Sequence, residues 1–368
     1  MKVAHLTSVH PQHDIRIFHK QCKSLAAYGY DVYLIVKSEK DEVQDGIGIL
    51  SIKERNNRLQ RVFGSSREVY SRALASGAGI FHFHDPELIP VGILLALGGK
   101  KVVYDVHEDL PRQILSKPWI WFSVRYPVSW MASFAEWLGA RWFFSAVVAA
   151  TPTIAKRFPK KGTVTVQNFP ILGELGPTSS TNYRERPENV VYVGGISRVR
   201  GVVENIRAFE FLKHKQCRFQ LAGTFMENDL ESKCRRLAGW RAVDYHGFLS
   251  RMGVSDLLKR ARVGLVLLHP TMAYLDSLPI KLFEYMAAGI PVIASDFPLW
   301  REIIEGAGCG LLVDPMKSEE IAKAIDWILD NQGEAEEMGK NGRSAVVEQY
   351  NWANEEKKLI KLYEELAG

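Results

Sequence analysis

The sequence predicts an α/β fold of two doubly wound parallel-sheet domains facing a central cleft. Three observations carry this expectation. Short β-branched runs alternate with longer amphipathic stretches, the alternation restarts after an interruption near residue 170, and the interruption has the chemistry of a linker. In the first half the strand-like runs are 3–6, 32–36, 80–84, 102–104, 146–149 and 164–166, with helix-like stretches such as 17–28 and 87–97 between them. The second half repeats the scheme at 190–193, 219–222, 243–245, 263–268, 292–294 and 311–313. Between 168 and 188, Pro170, Gly173, Gly176, Pro177, Pro187 and a Ser/Thr cluster break all periodicity. The expected domains are therefore 1–170 and 188–351, joined by a linker at 171–187. The last helix, within 352–368, follows every second-domain strand and is expected to pack back onto the first domain. Sheets of this kind bind ligands at the carboxyl ends of their strands.

Bulk composition supports a soluble globular chain, at 46% hydrophobic and 24% charged residues. Met1 leads straight into a strand-like run, so no signal peptide is read at the start. Cys22, Cys217, Cys234 and Cys309 are far apart, without a C-x-x-C, which argues against a zinc site or a disulfide framework. A cytoplasmic location follows as the expectation. Residues 1–170 carry a net charge of +8 and the remainder −3. That asymmetry suggests an anionic partner for the first half, a membrane surface or a phosphate, or else only a solvated basic face.

In the second half, the strand at 190–193 runs into Gly194-Gly195-Ile196-Ser197-Arg198-Val199-Arg200-Gly201 and then a helix-like stretch, 202–212. Glycines after a strand permit a tight turn, and the next helix offers free N–H groups to an anion. Arg198 and Arg200 could clamp a diphosphate. The turn is neither a dinucleotide fingerprint nor a P-loop. A second signal is the segment from Asp276 to Pro291, DSLPIKLFEYMAAGIP. Pro279 suits the start of a helix and Gly289 its end. Ile280, Phe283 and Ala287 would form an apolar face; Lys281, Glu284 and Ala288 would form another. A carboxylate there can accept from both hydroxyls of a ribose, and an ammonium favours phosphate. A surface i, i+3 ion pair is the bland alternative.

In the first half, His82 and His84 share one side of a strand, with Phe81 and Phe83 on the other, followed by Asp85. The next strand ends in Tyr104-Asp105-Val106-His107-Glu108-Asp109. Histidines and acids at neighbouring strand ends suit hydrogen bonding to hydroxyls; a metal site is conceivable but is not expected. No Asp-x-Asp occurs, so no metal cofactor is expected at the diphosphate either.

The segment from Asp276 to Pro291 resembles the donor-binding motif of the large retaining glycosyltransferase family 4. That family has the GT-B architecture, two Rossmann-like domains, and carries Glu-x7-Glu followed by "G-x-P-V-I-A-S". Here Asp276 and Glu284 have that spacing and AAGIPVIASD follows. The resemblance spans essentially the whole chain. The turn from Gly194 to Gly201 is similar to the family's "G-R-L-x-x-x-K-G", and Tyr350 and Trp352 form its Tyr-x-Trp. Aspartate at 276 replaces a glutamate that contacts the transferred sugar. Gly195 stands where the family has arginine, Arg200 takes the lysine position, and Arg198 is inferred to substitute for the missing arginine. Gly247-Phe248-Leu249 resembles the base-binding loop.

By the same resemblance His107 contacts the sugar or the acceptor near the reacting centre. "HFHDPEL" and "DVHED" resemble a bacterial branch acting in surface polysaccharide assembly. His13, Asp14 and Arg16 lie where relatives carry a Gly-Gly loop and would take over part of its phosphate contact. The implied site therefore has His107, Glu284 and Asp276 at the reaction, and Gly194, Gly195, Arg198, Arg200, Phe248, Leu249, Ser277, Leu278, Lys281 and Glu284 on the donor. His13, Asp14, Arg16, His84, Asp85 and Glu108 would line the acceptor side.

Residues 119–144 hold five of the nine tryptophans: Trp119, Trp121, Trp130, Trp137 and Trp142. Arg125, Glu136 and Arg141 interrupt the run, which rules out a spanning helix and suits an interfacial one; core packing of the rings is the alternative. Lys156, Arg157, Lys160 and Lys161 would favour anionic lipid. The expectation is a retaining, metal-independent transferase at the inner face of the cell membrane. It would use a nucleotide-diphosphate sugar, UDP-sugar before GDP-sugar, and a glycan acceptor linked to polyprenyl diphosphate, with no nucleic-acid partner. A soluble sugar or sugar-phosphate acceptor, or a catalytically idle nucleotide-sugar-binding subunit, are the alternatives.

Overall fold

The computed structural model describes residues 1–54, 64–116, 120–174 and 183–368. The chain divides into two compact units, Met1–Asn168 with Trp352–Gly368, and Phe169–Asn351. Trp119 and residues 175–182 of the expected linker lie outside the described residues. The rest of that stretch is not all free connector. Tyr183 is buried in the second unit and its hydroxyl donates to the Arg262 carbonyl at 2.8 Å.

The first unit is an eight-stranded sheet. Its strands are β1 (Lys2–Pro11), β2 (Asp31–Lys37), β3 (Glu42–Gln44), β4 (Ile47–Ile52), β5 (Ile80–Phe83), β6 (Lys101–Val106), β7 (Ala146–Ala149) and β8 (Thr163–Thr165). They lie in the order β3-β4-β2-β1-β5-β6-β7-β8, parallel throughout except for the β3–β4 pair. Chain order reverses at β1, which has β2 on one side and β5 on the other, so the crevice of this sheet opens where β1 and β5 end. The β3–β4 hairpin was not anticipated. Its signal was Asp45-Gly46, both with positive φ (51° and 77°), the two-residue turn that matches strand twist.

Each face of the sheet has its own chemistry. Phe83 stacks on Tyr104 with 4.6 Å between ring centroids, and Phe144 closes against both. The opposite side of β5 carries His82, whose ring meets Tyr363 of the last helix, Trp352–Ala367. That helix is tied to the same unit by Trp352 Nε1, which donates to Ser24 Oγ at 2.9 Å, and by Glu355, which accepts from the Gln167 backbone.

The second unit is a parallel six-stranded sheet: β9 (Asn189–Val193), β10 (Arg218–Ala222), β11 (Val243–Gly247), β12 (Val263–Val266), β13 (Val292–Ser295) and β14 (Gly310–Val313). Its order is β11-β10-β9-β12-β13-β14, with the reversal at β9. One face is covered by helices Val202–Phe211 and Ser318–Asp330, the other by Ile280–Ala287 and Gln332–Glu348. Helix Ile280–Ala287 does not have the open second face expected of it. Every residue from Leu282 to its end is buried, Glu284 included. Gly264 of β12 allows this close seating, because a Cβ there would stand 2.3 Å from the Tyr285 ring.

Candidate functional site

In the second unit the site grows from the end of β9. The Val193 N–H donates to the Tyr285 hydroxyl oxygen at 2.8 Å, so helix Ile280–Ala287 pins the last residue of that strand. The chain then turns through Gly194 and Gly195, makes one 3-10 turn at Arg198–Arg200, and enters helix Val202–Phe211 from Gly201. Gly201 has φ 69°, and a Cβ on it would lie 2.6 Å from the Leu267 carbonyl, so only glycine fits where this turn crosses the end of β12.

Lys281 is the least ordinary group in this unit. Its Nζ is buried without a hydrogen-bond partner, 3.5 Å from the centroid of the Tyr192 ring and beside Gly194. Burial holds its pKa well below the usual lysine value; Arg200 pushes the same way and Glu284 opposes. An ammonium removed from water without an anion costs several kcal/mol, more than a cation–π contact of about 2 kcal/mol returns. Arg200 Nη1 donates to the Gly195 carbonyl at 3.3 Å. A side chain at 195 would start 2.9 Å from Arg200 Nη1 and 2.8 Å from Met226 Sδ, so the arginine of the family pattern would have to displace these two flexible side-chain ends. Arg200 fills that space.

The structure separates the two arginines of the turn. Arg198 lies against Glu227, its Nε 4.0 Å from the carboxylate and its backbone N–H donating to Glu227 Oε1, rather than beside Arg200. Glu284 and Lys281 do not pair with each other either. Glu284 accepts from Arg251 Nη1 at 2.6 Å, and Arg251 Nη2 reaches Glu174 at 2.8 Å. Arg251, which the sequence reading did not single out, opens the helix capped by Ser250, just past the loop at Gly247, Phe248 and Leu249. Phe248 is 84% exposed at the end of β11, whereas Leu249 packs on the core. Ser277 accepts from Trp300 Nε1 through its carbonyl at 2.7 Å; Asp276 beside it is half-buried, as is Leu278.

In the first unit, four imidazoles surround one carboxylate at the ends of β1, β5 and β6. Asp105 is fully buried. Its oxygens receive Arg16 Nε at 3.0 Å, Arg16 Nη2 at 2.7 Å and Gln21 Nε2 at 2.7 Å. His84 Nδ1 lies 3.2 Å and His107 Nε2 3.1 Å from Oδ2, with His82 Nε2 at 3.9 Å. Behind them His5 Nδ1 is 2.9 Å from His84 Nε2. Burial opposes ionisation of Asp105, but the Arg16 guanidinium and the neighbouring imidazoles outweigh it and hold the carboxyl well below its usual range. Burial depresses His5 and His82 strongly and takes His84 down to about 3.

Asp85, next along, accepts from the Ser8 N–H and Thr7 Oγ1 and pairs with His10 at 3.0 Å. It is lowered to about 2: burial opposes the shift, and the His10 contact with these hydrogen bonds overcomes it.

Several candidates are committed elsewhere. Arg16 is buried on Asp105 and the Val166 carbonyl, which leaves it no role in meeting phosphate. Asp14 caps the following helical segment, Ile15–Cys22, by accepting from the Arg16 and Ile17 N–H groups at 2.9 Å. His13 is exposed, edge-on to Phe18. His107 is half-buried and Glu108 exposed at the end of β6.

Ligand atoms of His84, Asp105 and His107, and of His5, His82 and His84, lie close enough to share an ion. Asp105 fits that role poorly, since both its oxygens already serve the guanidinium of Arg16, beside which a dication would stand uncompensated.

Helix Phe122–Trp142 presents an aromatic stripe. Phe122, Tyr126, Trp130, Phe134 and Trp137 recur every three or four residues, all exposed, with Trp121 (82% exposed) and Trp142 at the ends. Glu136 faces inward to Tyr104 and Arg157. Arg157 is therefore engaged, while Lys156, Lys160 and Lys161 are exposed. Among the described residues no helix is long and apolar enough to cross a membrane.

Two family models match in tandem: "Glycosyltransferase Family 4" over residues 16–166 and "Glycosyl transferases group 1" over 179–345. Among curated relatives, an uncharacterized glycosyltransferase of Methanocaldococcus jannaschii is 28% identical over 186 residues, 50% of this chain and 46% of that protein. The alpha-D-kanosaminyltransferase of Streptomyces kanamyceticus is 26% identical over 48% of this chain and 45% of its own length. The chain thus spans about half the length of the curated relatives it matches. Similar solved structures include sucrose-phosphate synthase of Thermosynechococcus elongatus (TM-score 0.79, 19% identity, 99% of this chain and 98% of that one). Another is HepE of Anabaena in complex with UDP-glucose (TM-score 0.76, 15% identity, 99% and 100%).

Proposed function

The chain belongs to the family 4 glycosyltransferases of GT-B fold, and from that premise we propose that it is a retaining, metal-independent transferase. It would move a sugar from a nucleotide diphosphate to a lipid-linked glycan at an anionic membrane, the polyprenyl-diphosphate type used in surface polysaccharide assembly. The observation that carries the donor reading is Lys281, whose buried Nζ has no hydrogen-bond partner, at the mouth of the turn after β9. A diphosphate supplies the missing charge. Arg200 and the N–H groups opening helix Val202–Phe211 add to it, which is how a leaving diphosphate is stabilised without a divalent ion. Glu284, steadied by Arg251, accepts from the ribose hydroxyls, and Phe248 offers a ring near the base. UDP is the favoured nucleotide because HepE, of similar fold, was solved with UDP-glucose.

In the proposed reaction the bond from the anomeric carbon to the diphosphate oxygen breaks. The acceptor oxygen bonds to the same face of that carbon, and its proton passes to the departing phosphate. The protein then contributes charge and orientation. The aromatic stripe with its lysines supports a lipid-linked acceptor. A soluble sugar-phosphate acceptor is the second reading, since sucrose-phosphate synthase shares the fold. A panel of UDP-, GDP- and dTDP-sugars, scored by calorimetric binding and by slow donor hydrolysis with chelator present, tests the donor reading. Binding of a UDP-sugar is expected; no binding by any of the panel overturns it.

A further inference from the structure

The carboxylate of Asp105 touches no solvent, yet it sits where it can dictate the protonation pattern of every histidine around it. An ionised carboxylate accepts and never donates. His84 Nδ1 and His107 Nε2 both stand within 3.2 Å of its Oδ2, so each contact is favourable only if that nitrogen carries its proton. The two nitrogens are also 3.1 Å from each other, and a hydrogen bond between them would require one to present a lone pair. That lone pair would then face the anion at hydrogen-bonding distance. Oδ2 already accepts from Arg16 Nε and Gln21 Nε2, and the arrangement that keeps every lone pair away from this anion has both ring nitrogens protonated on the side facing it.

The remaining tautomers follow in sequence. With its proton on Nδ1, neutral His84 accepts at Nε2 from His5 Nδ1. The Tyr363 hydroxyl, 2.8 Å from His82 Nδ1 and 3.5 Å from His5 Nε2, closes the network, and His82 Nε2 faces Asp105 from 3.9 Å. Arg16 and Gln21 hold the carboxylate in place and Arg16 keeps it ionised, so the pattern has one origin.

We propose that Asp105 is a positioning residue that fixes the tautomer of His107, with the proton on Nε2 and the lone pair on Nδ1, so that His107 receives a hydrogen bond from a substrate hydroxyl. This rests on the reading that His107 meets the sugar or acceptor. The specificity consequence is chemical: His107 selects a donor group, an O–H, and disfavours a carbonyl or phosphate oxygen at the same place.

The full chain labelled with 15N-histidine reports the tautomer directly, with the His107 signals identified by their loss in His107→Gln. Wild type is expected to show Nε2 protonated and Nδ1 bare at pH 7.5. The double variant Arg16→Met/Asp105→Leu removes the ion pair as a unit and leaves no buried charge alone. In it His107 should become a mixture of tautomers, and kcat should fall at least about tenfold while KM for the nucleotide sugar changes less than about twofold. A proton on Nδ1 in wild type, both nitrogens protonated, or histidine signals that move when chelator is added would each overturn the proposal. So would an unchanged kcat in the double variant. Full turnover by His107→Gln would instead remove the substrate contact on which the proposal rests, with the wild-type tautomer still read independently.

Discussion

Acidification should unfold the first unit long before its carboxylates titrate. His5, His82 and His84 are buried and held neutral, with pKa values driven down by burial, His84 to about 3. In the unfolded chain each regains a value near ~6.5. Below that pH the unfolded state binds three protons that the native state refuses, so stability falls as pH falls. At about 1.4 kcal/mol per pH unit for each imidazole, the span from about pH 6.5 to 5 removes about 6 kcal/mol. A domain commonly has only about 5–15 kcal/mol.

His10 does not offset this loss. Its pKa is raised: burial lowers it, but the Asp85 hydrogen bond and charge prevail. Its contribution is complete below its unfolded value and disappears only as pH climbs through the raised one. Asp85 and Asp105, both depressed, keep their contribution until pH drops below the ordinary carboxylate range. Urea unfolding at a series of pH values, with hydrogen exchange read on peptides from β5 and β6, measures the slope. His82→Asn, which cannot titrate, should reduce it by about a third. A loss under about 1 kcal/mol between pH 7 and 5 would refute the reasoning.

Two further outcomes follow from the same geometry. Gly201→Ala places a Cβ 2.6 Å from the Leu267 carbonyl at φ 69°, and should destabilise the second unit by about 2 kcal/mol or more in urea; a change below about 0.5 kcal/mol would contradict that contact. Liposomes containing anionic lipid should bind the wild-type chain at low salt and release it as salt rises, and Trp130→Glu with Phe134→Glu should weaken binding at least about tenfold; equal binding by wild type and variant would sink the lipid reading of the stripe.

What the sequence made legible was what repeats or punctuates. The strand runs of both halves stand where β-branched residues predicted them, since strands buried on both faces read as continuous apolar runs. Gly289, with φ 65°, and Pro279, at the N-cap, bound helix Ile280–Ala287 as their backbone preferences require. The β3–β4 hairpin escaped because its first strand, Glu42–Gln44, is only three residues long and largely exposed, with no pattern beyond its turn.

Side-chain commitments were the harder part. Arg16 looked available to phosphate because nothing local reveals that Asp105, 89 residues on, waits for it. Arg198 and Arg200 are two residues apart on a 3-10 turn, so they diverge, one to Glu227 and the other toward Gly195 and Lys281. Arg251 was invisible for the same reason, its partners Glu284 and Glu174 being 33 and 77 positions away.

The central claim is that Lys281 is kept unpaired for a nucleotide diphosphate, and its most direct test is UDP-glucose titrated calorimetrically into wild type and Lys281→Met, with unliganded thermal stability measured alongside. Wild type should bind, Lys281→Met should bind at least about 30-fold more weakly, a loss of about 2 kcal/mol, and the variant without ligand should be as stable as wild type or more so. Equal affinity in the two proteins, or a variant markedly less stable than wild type, would contradict it.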